Sequence, residues 1–109
     1  MNAAWIRQAA LVLLIAVAMP AVAQTYKLRT IGAEDGLSDP FVHALAQDAE
    51  GHLWIGTGKG AGRFDGHQVR MFTTADSLSE NFVSCIRPET LGDVWFGHNE
   101  GGISRMRNG

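Results

Sequence analysis

Apolar residues run unbroken from Ala9 to Met19, and nowhere later does the chain repeat a run of that length. From Phe41 onward they come in short bursts closed by Gly, Asp or Pro, which is the signature of short strands joined by tight turns. Phe41–Gln47 predicts one strand, and Asp48-Ala49-Glu50-Gly51 a turn in which the Asp side chain bonds its own backbone and Gly takes positive φ. Leu53–Thr57 predicts a second strand, Gly58-Lys59-Gly60 a turn, and Gly62–Phe64 a third strand closed by the hairpin dipeptide Asp65-Gly66. Gln68–Thr73 alternates polar and apolar, as a half-exposed outer strand does. The innermost strands, richer in apolar and small residues, are expected to be buried on both faces.

The same unit is written twice. Shifted by 41, residues 26–57 fall on residues 67–98. Arg29 meets Arg70, Asp35 meets Asp76, Leu37-Ser38 meets Leu78-Ser79, Gly51 meets Gly92, and Trp54 and Gly56 meet Trp95 and Gly97. Leu28 answers Val69, and Ile31 answers Phe72. After residue 57 the register slips by one, so Gly62-Arg63-Phe64 answers Ser104-Arg105-Met106. A period near 41 built of short strands is that of propeller blades. The fold class expected is therefore all-β, an incomplete β-propeller of about two four-stranded antiparallel blades. Tyr26–Ile31 matches the outer strand of the unit. The chain thus divides into a lone outer, closing strand (24–34), a first blade (35–75) and a second blade lacking its outer strand (76–109). Trp54 and Trp95 are expected in the core, and Gly56 and Gly97, two residues on and on the same strand face, leave room for a neighbouring ring or backbone.

The N-terminal run changes how the composition is read. Arg7, the apolar run, Pro20 and the Ala21-Val22-Ala23 site describe a secretory signal peptide over residues 1–23, cleaved between Ala23 and Gln24. The run is short of the ~20 residues that span a bilayer. The chain is then expected on the periplasmic or extracellular side, with Cys85 a buried small apolar residue. All thirteen Gly follow this segment. So do only 31 apolar residues among 86, a thin core for a free-standing globule. Since repeats bury their faces only against neighbours, residues 24–109 alone are expected to be poorly soluble. Nine Lys and Arg against eleven Asp and Glu give no basic stripe, which excludes a dedicated nucleic-acid binder.

Candidate chemistry is sparse. His43, His52, His67 and His98 lack metal-ligand spacing, so neither a metal nor a cofactor is expected. Asp48 belongs to its turn, and Ser84-Cys85 has no nearby base. His98 stands out because it takes the place of Thr57 at the end of a strand. If a ligand binds, the loops at one end of the blades face it, through Asp39, Lys59, Glu80 and Asn99.

Asp35-Gly36-Leu37-Ser38, Asp48-x-x-Gly51-x-Leu53-Trp54-Ile55-Gly56-Thr57 and Arg63-Phe64-Asp65-Gly66 resemble the two-component regulator propeller repeat. The second copy departs from it at Pro88-Glu89 and at His98. The resemblance implies part of a seven-bladed periplasmic sensor. The parent receptor would be an inner-membrane protein carrying a histidine kinase or diguanylate cyclase, and its ligands are commonly carbohydrate fragments. The partners expected are a small-molecule ligand and the remaining blades, with the membrane reached only through the parent receptor or an uncleaved signal segment. No catalytic residue is expected in this chain. The alternatives are a fragment of a secreted propeller lyase or hydrolase, for which His98 is the one candidate, and an inactive truncated remnant.

Overall fold

A computed structural model describes residues 25–107. The signal-peptide reading, with its Ala23–Gln24 cleavage site, lies outside these residues. Seven strands form two antiparallel meanders. The first sheet runs β1 (Val42–Gln47), β2 (Leu53–Thr57), β3 (Gly60–Phe64), β4 (Val69–Phe72), in that spatial order. The second runs β5 (Cys85–Pro88), β6 (Val94–Gly97), β7 (Ile103–Met106). The architecture is all-β with almost no helix, as the burst-and-turn pattern predicts. In the first sheet Trp54 pairs with Arg63, and Arg63 with Arg70. In the second, Trp95 pairs with Arg105 at the equivalent place.

The turns form for local reasons. Asp48 Oδ1 accepts from the amides of Glu50 and His52 at 3.0 and 2.9 Å, and Asp65 Oδ1 accepts from those of His67 and Gln68. Ahead of each sheet stands a single 3-10 turn, Ala33–Asp35 and Thr74–Asp76. Each is closed by its Asp, whose carboxylate accepts from the amide of Gly32 or Thr73 at 3.0 Å.

The two sheets stack face to face. Trp54, Ala61 and Phe72 of the first sheet, Val94 and Phe96 of the second, and Leu78 and Val83 of the linker form the larger core. The Trp54 and Phe96 rings meet edge to face with centroids 5.2 Å apart. Gly56 permits the approach: a Cβ there would sit 2.9 Å from the carbonyl oxygen of Val83. On the far face of the first sheet a smaller cluster of Leu37, Ile55 and Val69 packs with Ile31 and Phe64. Adjacent residues of β2 thus serve opposite faces, Trp54 towards the second sheet and Ile55 away from it.

Three expectations of burial are corrected. β1 is not buried on both faces: Leu45 is 63% exposed, and Phe41 just before the strand 73%, because among the described residues no sheet covers the far side. Cys85 is exposed for the matching reason at the start of β5. Trp95 is only half-buried although Trp54 is 1% exposed, since Trp95 points away from the first sheet. Residues 26–31, expected as a closing strand of another blade, pair with no strand among the described residues; Arg29 there donates to the Gly66 carbonyl oxygen at 3.0 Å.

Candidate functional site

The meander sorts the loops into two ends. The linkers entering β1 and β5 and the turns β2–β3 and β6–β7 lie at one end. The turns β1–β2, β3–β4 and β5–β6 lie at the other. Asp39, Lys59, Glu80 and Asn99 therefore come to the same end, and they divide into two kinds. Asp39 is buried; its Oδ1 accepts from the Phe41 amide at 3.0 Å, and its Oδ2 lies against Gly58. Glu80, at the equivalent position, accepts through Oε2 from the amides of Glu100 and Gly101 at 3.0 and 3.1 Å. Glu80 thereby braces the β6–β7 turn of its sheet, whereas Asp39 caps its own linker and only lies against the β2–β3 turn. Lys59 and Asn99 are exposed at the tips of those turns.

His98 sits at the same end. Its Nδ1 lies 2.7 Å from the Phe82 carbonyl oxygen and its Nε2 2.7 Å from Ser104 Oγ. A carbonyl only accepts, so the hydrogen is assigned to Nδ1, and Nε2 accepts from the Ser104 hydroxyl. Ser104 Oγ in turn accepts from the Ser79 amide at 3.0 Å, and Ser79 Oγ donates to the Gly101 carbonyl at 3.2 Å. Every hydrogen in this chain has an internal acceptor. In the first sheet Thr57 closes only its own turn, donating to the Gly60 carbonyl and accepting from the Lys59 amide. The His98 replacement converts that local tie into one that fastens the linker 79–82 to β6 and β7.

At the opposite end Asp48 does more than shape its turn. Its Oδ2 accepts from Trp54 Nε1 at 2.8 Å, and Glu89 does the same for Trp95 at 2.8 Å. An acid six residues before the Trp in both copies was the signal for this tie, and turn chemistry alone does not reveal it. Asp48, Glu50, His52, Arg63 and Met106 line a small cavity of about 80 Å3. Burial works against the charge of Asp48, but the Trp54 indole and the two backbone donors outweigh it and hold the carboxyl below its ordinary value of 3.8. A depressed carboxylate contributes stability that is full above its unfolded pKa and lost as pH falls through the folded one. Asp48→Asn is therefore expected to lower stability at pH 7 by about 1 kcal/mol, modest because water reaches the loop. The gap to the parent should close as the pH falls below about 3.8. Urea unfolding at pH 7 and at acid pH checks this; an equal gap at both would remove the charge from the account.

No group of three or more His, Cys, Asp or Glu able to hold a metal ion occurs among the described residues. No helix among them is long and apolar enough to cross a membrane.

The two sheets, the Trp54–Phe96 stack and the braced turns are those of adjacent propeller blades, and comparison with known proteins agrees. The family described as "Two component regulator propeller" matches residues 36–59. Residues 36–59 are a two-component regulator propeller repeat. This propeller repeat covers the 3-10 turn exit, β1, β2 and the following turn. Histidine kinase P4 of Formosa agariphila is 33% identical over 58 residues, 53% of this chain and 4% of that protein. A crystal structure of the extracellular domain of a hybrid two component system from B. thetaiotaomicron superposes with a TM-score of 0.63 and 26% identity. That match takes in 80% of this chain and 12% of the other. The chain is thus a propeller segment related to the extracellular domain of a hybrid two-component system, and it spans a small part of the length of either relative.

Proposed function

We propose that this chain is the N-terminal part of a periplasmic, ligand-sensing β-propeller in a two-component receptor, with residues 35–75 and 76–109 as successive blades. The observation that carries the reading is the contrast between scaffold and loop tips. The two copies agree at Trp54/Trp95 and Gly56/Gly97 and differ at the turn tips, Gly58-Lys59 against Asn99-Glu100, where the exposed Lys59 and Asn99 come to one end. Scaffold repetition with free variation at the tips is what a recognition surface on a rigid support requires. The extracellular placement of the structural relative supports a site outside the cytoplasm. At that rim Lys59 and Asn99 can offer hydrogen bonds to a polyhydroxylated ligand such as a carbohydrate fragment. The signalling output, a histidine kinase, would lie in other parts of the receptor.

The test is a receptor carrying this segment, titrated with a panel of oligosaccharides in a phosphorylation assay. Lys59→Ala combined with Asn99→Ala is expected to weaken the response about tenfold, the loss of one or two hydrogen bonds to a polar ligand. Asp39→Ala and Glu80→Ala are expected to loosen the linker and the β6–β7 turn and so lower thermal stability as well. An unchanged response in the Lys59/Asn99 double variant would overturn the assignment of that rim.

A further inference from the structure

The two copies treat the same arginine differently. In the second sheet Arg105 stacks on Trp95, and Asp93 neutralises its guanidinium, with Nε 2.8 Å from Asp93 Oδ2. Arg63 is the counterpart in the first sheet. It lies over the Trp54 and Phe72 rings, 5.8 and 5.3 Å from their centroids. The residue that answers Asp93 there is His52, and a histidine cannot supply a carboxylate. Arg63 is half-buried, yet it has no ion pair and no hydrogen bond among the described residues. A fork of five N–H donors is left without a protein acceptor.

The small cavity beside Asp48 lies where this fork is held. His52 and Arg63 line it from the first sheet, Met106 and Arg107 from the second. Both walls are described residues of two adjoining blades, so the cavity is a seam between them and not an open edge. Arg107 repeats the reversal of charge, because the residue it answers in the first copy is Asp65. At two positions where the other copy carries an aspartate, this seam carries a base. Its own acids do not offset that. Asp48 is committed to the Trp54 indole and to two backbone amides. Glu50 is exposed and turned to His52, with 3.8 Å between Oε2 and Nδ1. Neither forms an ion pair with Arg63.

We infer that this seam binds a small carboxylate, held by Arg63. The second copy displays the chemistry, since the guanidinium at the same place in the repeat takes the carboxylate of Asp93. A planar carboxylate matches the planar fork, and the bond is charge-assisted. The rings of Trp54 and Phe72 support the guanidinium from one side, so little ordering remains to be done on binding. At about 80 Å3 the cavity is far below the ~300 Å3 of sites that enclose larger ligands, and it takes a compact group. It lies at the end of the blades opposite Lys59 and Asn99, so the inference stands independently of any ligand there.

The experiment uses a receptor carrying this segment and reads Arg63 directly. Phenylglyoxal modifies accessible guanidinium groups, and peptide mass spectrometry at low conversion gives a rate for each arginine. Acetate is the probe, acetamide its uncharged counterpart, and sodium chloride at matched ionic strength the control for screening. Acetate is expected to slow modification of Arg63 about tenfold, saturably, and to leave Arg105, already paired, unchanged. Acetamide and chloride are expected to slow neither. His52→Asp supplies the acid that the second copy has, so it is expected to slow Arg63 about tenfold without acetate and to abolish the further effect of acetate. Arg107→Asp is expected to raise the acetate concentration for half-protection about tenfold, the loss of one favourable charge. The rate at Arg105 should stay constant in both variants, which shows that the second sheet keeps its fold. Equal protection by chloride, protection that never saturates, or an undiminished acetate effect in His52→Asp would each overturn the inference. So would an Arg63 that is unreactive before acetate is added, since another acid of the receptor would then occupy the seam.

Discussion

Trp54→Ala should cost the chain about 3–5 kcal/mol, while Trp95→Ala, the same change at the repeat-equivalent position, should cost about 1 kcal/mol. The asymmetry follows from what each indole touches. Trp54 is 1% exposed, packs on Phe72 and Phe96 from opposite sheets, and donates its N–H to Asp48. Truncation removes the largest side chain from the contact between sheets and leaves the partly buried Asp48 oxygen without its donor. Trp95 keeps its own bond to Glu89 and a stacked Arg105, but its broad face has no second sheet against it. A chain of this size is stabilised by only ~4–12 kcal/mol, so the first change removes a large share of the total. Trp54→Phe separates the two contributions: it keeps a ring against Phe96, loses the donor, and should cost about 1–2 kcal/mol. Urea unfolding followed by circular dichroism at a fixed chain concentration measures all three, the concentration held constant because association adds to apparent stability. Equal costs at Trp54 and Trp95 would mean that the stacking of the sheets contributes little.

That contrast also marks how far the fold was legible. Strand positions could be read because alternation and turn residues are local properties: Asp48, Gly51, Asp65 and Gly66 place the turns wherever the rest of the chain goes. The 41-residue period then says which residues occupy equivalent places. It does not say how buried they are, since burial is decided by the neighbouring sheet. Trp95, Cys85 and the apolar face of β1 differ from expectation for this one reason. The 3-10 turns at Ala33–Asp35 and Thr74–Asp76 escaped notice because three residues carry no hydrophobic period. Their only sign was an Asp placed to reach back to the amide three residues earlier.

The candidate site was legible by position and not by direction. Chain order puts Asp39, Lys59, Glu80 and Asn99 at one end of the blades, and the meander brings them there. Whether a carboxylate looks outward depends on which donors lie within reach. The amides of Glu100 and Gly101 claim Glu80, and Asp39 is drawn in against Gly58. A lysine has no acceptor capacity, so the same turn amides cannot draw Lys59 in. His98 was conspicuous as a substitution for Thr57, yet its role needed Ser104 and Phe82, which approach only when β7 and the linker fold beside it.

The second large effect is one of opposite sign at two equivalent positions. Gly36 and Ser77 each follow a 3-10 turn in a left-handed conformation, with φ of 106° and 79°. Gly36→Ala is expected to destabilise by about 2–4 kcal/mol. The conformation itself costs an L-residue ~1–2 kcal/mol, and the new Cβ would lie 2.5 Å from the Val69 carbonyl oxygen, a contact relieved only by moving backbone on β4. Ser77→Gly is expected to stabilise by about 0.5 kcal/mol, because release from the left-handed region slightly exceeds the greater unfolded-state freedom of glycine. The gain should appear in the unfolding midpoint without a change in the urea slope, since no surface burial changes. If Ser77→Gly destabilises, its hydroxyl or Cβ makes a contact that outweighs the backbone strain, and the two 3-10 turns are not equivalent in energy despite their shared geometry.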